Sequence, residues 1–96
     1  MIEGKRILIT GMGGSIGSEL ARQLAPKNKI FGIDINETAI YQVREELRRK
    51  GFWVHSRTGD IRNRRTLADV FEDFKPEVVY HAGALKNVTP DRKSVV

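Results

Sequence analysis

Short aliphatic runs alternate along the chain with longer stretches in which apolar side chains recur every three or four positions. The first run, "RILIT" within Lys5 to Thr10, is rich in aliphatic and β-branched residues, as a strand buried on both faces requires. Helical spacing follows from Ser15, with Ile16, Leu20, Ala21 and Leu24 on one side, and Pro26 forbids its continuation. A second strand is expected over Lys29 to Asp34. Asn36 is placed to cap the next helix, whose Ile40, Val43 and Leu47 share a face. Arg48, Arg49 and Lys50 complement the dipole at its end, and Gly51 suits the left-handed residue that closes it.

"FWVHSR", Phe52 to Arg57, reads as a third strand that turns polar in its second half, as near a sheet edge or a ligand-facing end. A third helix over Arg64 to Phe74 carries Leu67, Val70, Phe71 and Phe74 on one face. Pro76 then leads into "EVVYHAG", a fourth strand that breaks at Gly83.

Strands alternating with helices predict an α/β fold with a parallel sheet. Four strands joined through three helices by right-handed crossovers take the order 3-2-1-4. That is an incomplete doubly wound, Rossmann-type sheet. Residues 1–88 are expected to form this half domain, and residues 89–96, "TPDRKSVV", an irregular tail.

With 40% hydrophobic and 30% charged residues over 96 positions, the composition is that of a globular domain rather than a disordered chain. No apolar run reaches the roughly 20 residues of a membrane helix, and "MIEGKRILIT" is unlike a signal peptide. No membrane association and a cytoplasmic location are the expectation. The absence of cysteine excludes thiolate chemistry, and His55 and His81 stand apart without a carboxylate cluster, so no metal site is expected. The net charge of +5 gathers between Arg44 and Arg65, but acidic residues are interleaved and no groove-reading motif accompanies it. A solvated surface that attracts a phosphate-bearing ligand fits better than a nucleic-acid platform.

The first turn of the chain changes the picture most. In "ITGMGGSIGSEL", Gly11, Gly14 and Gly17 recur at a spacing of three between a strand and a helix. A pyrophosphate needs a turn free of Cβ atoms, followed by open helix N–H groups. Gly11 lets the chain leave the strand, Gly14 lets phosphates approach the backbone, and Gly17 lets the helix pack closely on the sheet. A glycine-rich turn without a ligand is the alternative, which the strand before and the helix after weaken.

Asp34 ends the second strand, 23 residues after Gly11, where a carboxylate accepts the ribose hydroxyls of an adenosine. It would repel a 2′-phosphate, so NAD is expected over NADP. The other reading of Asp34 is a loop or capping carboxylate beside Asn36. Two further stretches fall at strand ends. In "GDI", Asp60 can accept from an adenine amino group with Ile61 against the ring, or cap a helix. In "HAGAL", Ala82, Gly83 and Ala84 leave room for a dinucleotide, and His81 reads as a packed strand-end residue.

Together "TGMGGSIGSEL", "GIDINE", "GDIRN" and "VVYHAGALKNV" resemble the extended short-chain dehydrogenase/reductase superfamily, with its T-G-x-x-G-x-x-G loop at Thr10, Gly11, Gly14 and Gly17. "GGSIGSEL" with "HAGALKNV" is most similar to the polysaccharide-biosynthesis branch, the nucleotide-sugar 4,6-dehydratases and epimerases acting on UDP-N-acetylglucosamine and related sugars. The resemblance implies that Gly11, Gly13, Gly14, Ser15, Ile16 and Gly17 hold the pyrophosphate of NAD. It gives Asp34 to the adenosine ribose, Asp60 and Ile61 to the adenine, and Ala82, Gly83 and Ala84 to the inner part of the cofactor. Lys86 would reach cofactor or sugar nucleotide, or remain a solvated loop lysine.

The family's chemistry is transient oxidation of the sugar at C4, loss of water across C5 and C6 in a dehydratase, and return of the hydride. Its base is the Tyr of Y-x-x-x-K. Here Tyr41 is followed four positions on by Glu45 and Tyr80 by Ala84, so no catalytic residue is assigned. The chain reads as an N-terminal portion that is inactive alone and meets a UDP-sugar only in a full-length or complemented form. The alternative is a dinucleotide-binding or scaffold module. An exposed sheet edge would let either form a homodimer or pair with a complementing chain.

Overall fold

A computed structural model describes residues 2–82 of the chain. The expectations for Gly83, Ala84, Lys86 and the tail 89–96 lie outside the described residues.

Four strands form one parallel sheet: β1 (Arg6–Thr10), β2 (Lys29–Asp34), β3 (Val54–Thr58) and β4 (Val78–His81), in the order β3-β2-β1-β4. Ile7 pairs with Ile30 on one side and with Val78 on the other, and Ile30 pairs in turn with Val54. The connections are α1 (Ser15–Leu24), α2 (Glu37–Arg49) and α3 (Arg64–Phe74). A single 3-10 turn over Ala25–Lys27 follows α1, because Pro26 can begin such a turn but cannot prolong the α-helix.

Strand alternation divides the core into two layers. Ile7 and Ile9 of β1 face α1 and α2, packing with Ala21, Leu24, Ile40, Val43 and Leu47. Leu8 points the other way, toward Val70 and Phe74 of α3. Three consecutive side chains of β1 are therefore fully buried, which explains why the strand reads as an unbroken apolar run.

Helix ends follow the sequence closely. The Asn36 side chain accepts the Ala39 N–H at 3.0 Å, and Gly51, at φ +89°, closes α2. At the end of α3 the left-handed position falls on Lys75, φ +53°, immediately before Pro76. Its N–H reaches the Phe71 carbonyl at 3.0 Å and its carbonyl accepts from Arg6 Nε at 2.7 Å, so tertiary contacts hold a non-glycine residue there.

The helix faces are rotated from those expected. In α1 the buried residues are Gly17, Ser18, Ala21 and Leu24, so Ile16 stands half exposed and Leu20 lies on a flank. In α3 they are Thr66, Val70 and Phe74, which leaves Phe71 turned toward solvent. Boundaries shift slightly too: β1 begins at Arg6 rather than Lys5, and β3 runs over Val54–Thr58 rather than from Phe52.

Candidate functional site

The site residues expected from the sequence lie at the carboxyl ends of the strands, beginning with the turn after β1. Gly11 takes φ +75° and donates its N–H to the Ile33 carbonyl of β2 at 2.7 Å. The Gly14 N–H folds back to the Gly11 carbonyl at 3.1 Å, and α1 starts at the next residue. Gly14 supplies no side-chain cap, and the first turn of α1 holds no acidic residue. The other two helices differ: Asn36 caps α2, and Asn63 caps α3 by accepting the Arg65 and Thr66 N–H groups. The N-terminus of α1 thus keeps its positive dipole end and its N–H groups without a side-chain acceptor.

The glycines here do different work. A Cβ on Gly17 would overlap the Gly11 carbonyl oxygen and stand 2.7 Å from its carbon, so the contact of helix on turn requires its absence. On Gly13 it would meet the Ala39 Cβ and an Asp34 carboxylate oxygen, both at 2.9 Å. At Gly14 the nearest atom would be the Gly11 carbonyl oxygen, 3.5 Å away, an ordinary contact. The fold itself makes no demand for glycine at Gly14.

Met12 is the residue of this turn that sequence reasoning missed. It is fully buried among the core residues of the α1 and α2 layer. Its side chain covers Gly32 of β2, where a Cβ would lie 2.5 Å from its sulfur. A lone large apolar residue inside a glycine loop is the signal that marks such a plug.

Asp34 links the turn to the rest of the site. One carboxylate oxygen accepts the Gly13 N–H at 2.8 Å and the other the Asn36 N–H at 2.9 Å, while its own carbonyl accepts from Gly59 N–H at 3.0 Å. Each carboxylate oxygen retains acceptor capacity after one bond. Asp60 stands at the end of the neighbouring β3 and is gripped by Arg62. Nε lies 3.1 Å from both of its oxygens, Nη2 lies 2.7 Å from Oδ2, and the Arg62 backbone N–H donates to Oδ1 at 2.9 Å. These side-chain bonds, first among the causes, hold the Asp60 carboxyl at about 2. Asn63, not Asp60, caps α3 with its side chain.

Gly11, Asp34, Asp60 and Ile61 come together in one open cleft of about 170 Å³, which Ile33, Ile35, Gly59 and Arg62 also line. It is smaller than the few hundred Å³ of a pocket for a whole drug-sized ligand. Gly13, Gly14, Ser15, Ile16 and Gly17 form the adjoining turn and the start of α1. Ala82 follows β4, half-buried, and does not line the cleft. Ile35 and Arg62, which had no assigned role, each follow an acidic strand-end residue, and that position is the signal for them. Across β1, the Thr10 hydroxyl lies 3.1 Å from His81 Nδ1 and so joins the ends of β1 and β4. Among the described residues no group of His, Cys, Asp or Glu is placed to hold a metal ion, and no helix is long and apolar enough to cross a membrane.

A family model described as "Polysaccharide biosynthesis protein" matches residues 7–93. The chain is 38% identical over 93 residues to the probable polysaccharide biosynthesis protein EpsC of Bacillus subtilis, covering 91% of this chain and 15% of that protein. It is 38% identical over 92 residues to the capsular polysaccharide biosynthesis protein CapD of Staphylococcus aureus, again covering 91% of this chain and 15% of that protein. The CDP-glucose 4,6-dehydratase of Salmonella typhimurium is 32% identical over 83 residues, with 85% of this chain and 23% of that protein covered. Among solved structures, a short-chain dehydrogenase/reductase from Burkholderia phymatum in complex with NAD superposes with a TM-score of 0.74 at 28% identity, over 83% of this chain and 31% of that one. The chain thus spans less than a quarter of the length of these curated relatives. By sequence match it belongs to the polysaccharide biosynthesis protein family, and by that superposition to the short-chain dehydrogenases/reductases.

Proposed function

We propose that this chain holds the adenosine diphosphate half of a nicotinamide dinucleotide, NAD in preference to NADP, for a nucleotide-sugar 4,6-dehydratase or epimerase. The observation that carries the reading is the convergence of Gly11, Asp34, Asp60 and Ile61, from three successive strand ends, on one cleft beside the uncapped start of α1. Open α/β sheets bind ligands at this place.

The residues fit the group. Gly14 is a glycine that the fold does not need, and a backbone without a Cβ is what close approach of a pyrophosphate needs. The first N–H groups of α1 would donate to that pyrophosphate. Asp34 has remaining lone pairs for the ribose hydroxyls, and its charge disfavours a 2′-phosphate. Asp60 accepts from the adenine amino group while Ile61 and Ile35 supply apolar surface to the ring.

When bound, the nicotinamide supplies hydride acceptance at the sugar's C4 and its later return. The sequence contains no Y-x-x-x-K, so the proton of the C4 hydroxyl finds no such base here, and we expect no turnover by the chain alone. A UDP-N-acetylglucosamine type of sugar is the proposed substrate of the complete catalytic unit.

Calorimetric titration with NAD and ADP-ribose tests the reading. Both are expected to bind, and Gly14→Val or Asp34→Lys is expected to weaken binding about ten-fold or more, as the loss of a charge-assisted contact implies. Unchanged affinity in both variants overturns the site.

A further inference from the structure

Among the described residues, the charges lining the cleft are two carboxylates, Asp34 and Asp60, and one guanidinium, Arg62. The guanidinium side chain is 85% exposed, whereas Asp60 beneath it is 33% exposed. Asp60 fixes the direction of the Arg62 side chain through the contacts of Nε and Nη2 with its carboxylate, and the Arg62 backbone N–H donates to the same carboxylate. With the pair intact the described side chains that line the cleft carry one net negative charge, and Arg62 spends its Nε–Nη2 edge on Asp60.

A guanidinium recognises phosphate through the same planar fork that it offers a carboxylate. We propose that Asp60 is a positioning residue for cofactor choice, holding Arg62 away from the 2′-phosphate of a phosphorylated adenosine that the guanidinium would otherwise pair. This inference rests on the adenosine reading of the cleft and adds a second determinant to it. Asp34 opposes a 2′-phosphate by its own charge; Asp60 opposes it by neutralising the guanidinium and holding its Nε–Nη2 edge. Replacing Asp34 alone then leaves Arg62 held, and the preference only partly relaxed. The Asp60 carboxyl, held at about 2, stays ionised throughout the neutral range, so the hold does not lapse there.

The test is a mutant cycle on the 96-residue chain. ADP-ribose and 2′-phospho-ADP-ribose are titrated into the wild type, Asp60→Asn, Arg62→Gln and the double variant, and the ratio of the two dissociation constants is compared. Contacts to adenine are common to both ligands and cancel in that ratio. Asp60→Asn is expected to shift it about five-fold toward the phosphorylated ligand, the scale of one exposed ion pair gained. Asp60→Ser, which also releases Arg62, should repeat the shift, and the double variant should lose it. An unchanged ratio in Asp60→Asn and Asp60→Ser overturns the proposal. An equal shift in the double variant does so as well, because removal of a negative charge would then account for all of it. Failure of the wild type to bind ADP-ribose is a different result, and overturns the adenosine reading itself.

Discussion

The Asp34 carboxylate accepts the Gly13 N–H at 2.8 Å, so the residue that ends β2 also fastens the glycine turn that follows β1. Its second oxygen takes the Asn36 N–H at 2.9 Å, and Asn36 in turn caps α2. One side chain thus joins the turn, the strand and the next helix. The residue proposed to recognise a ribose is also part of what shapes the pocket that would receive it.

Asp34→Ala should therefore cost stability as well as affinity. Two backbone N–H groups lose a charged acceptor, for about 1–3 kcal/mol, which in a domain of this size lowers the melting temperature by several degrees per kcal/mol. Asp34→Asn keeps one acceptor oxygen and turns a donor toward the other N–H, so it should fall between. Thermal denaturation followed by circular dichroism measures both. Equal melting temperatures for wild type and Asp34→Ala would show that these bonds contribute nothing.

Gly14 and Gly17, at the start of α1, should separate stability from binding. Gly17→Ala forces a Cβ into the Gly11 carbonyl and should destabilise by about 1–3 kcal/mol or more. Gly14→Ala meets nothing closer than 3.5 Å and should leave the melting temperature nearly unchanged while weakening ADP-ribose. Denaturant titration read beside calorimetry checks the pair; a Gly14→Ala as unstable as Gly17→Ala would refute the division.

Much of this arrangement is legible in the chain because local signals agree. Lys29–Asp34 and Arg64–Phe74 are found with the bounds that their punctuation indicates, since proline, glycine and asparagine mark neighbouring ends. The 3-2-1-4 order follows from alternation and handedness. The helix faces are harder to read. Apolar spacing places Ile16 with Leu20, but the close contact of Gly17 with the Gly11 turn fixes the rotation of α1 and carries Ile16 outward. Phe71 is displaced similarly, because Val70 and Phe74 lie on the line of contact with β1 and β4. Within the site, the glycines and acidic strand ends stand out by spacing. The grip of Arg62 on Asp60 and the plug of Met12 on Gly32 depend on side-chain conformations and distances that no spacing encodes.

That plug yields a coupling measurement. Met12→Ala empties a fully buried site and should cost about 2–5 kcal/mol. Gly32→Ala pushes a Cβ to within 2.6 Å of the Met12 Cε and should cost about 1–3 kcal/mol. In the double variant the clashes with the sulfur and Cε are gone and only that with the Cβ at position 12, at 2.8 Å, remains, so the combined loss should be smaller than the two separate losses added. Chemical denaturation of the four proteins gives the coupling. Strict additivity would mean that Met12 does not pack on Gly32 as described.

The Asp60–Arg62 pair predicts a pH signature of its own. The hydrogen bonds from the Arg62 side chain lower the Asp60 carboxyl from its ordinary 3.8 to about 2. A carboxyl depressed in the folded chain stabilises it above the unfolded value, and that contribution is lost as pH falls from about 4 toward about 2. The carboxyl carbon resonance of Asp60, followed by NMR, should titrate with a midpoint near 2 in the wild type. In Arg62→Gln it should move up toward 3.8, since the dominant donors are gone. The stability advantage of the wild type over Arg62→Gln should shrink across the same interval and stay level above pH 5, where both carboxyls are ionised. Coincident midpoints in the two proteins would show that Arg62 does not hold Asp60 in solution, and would remove the premise on which control of the guanidinium rests.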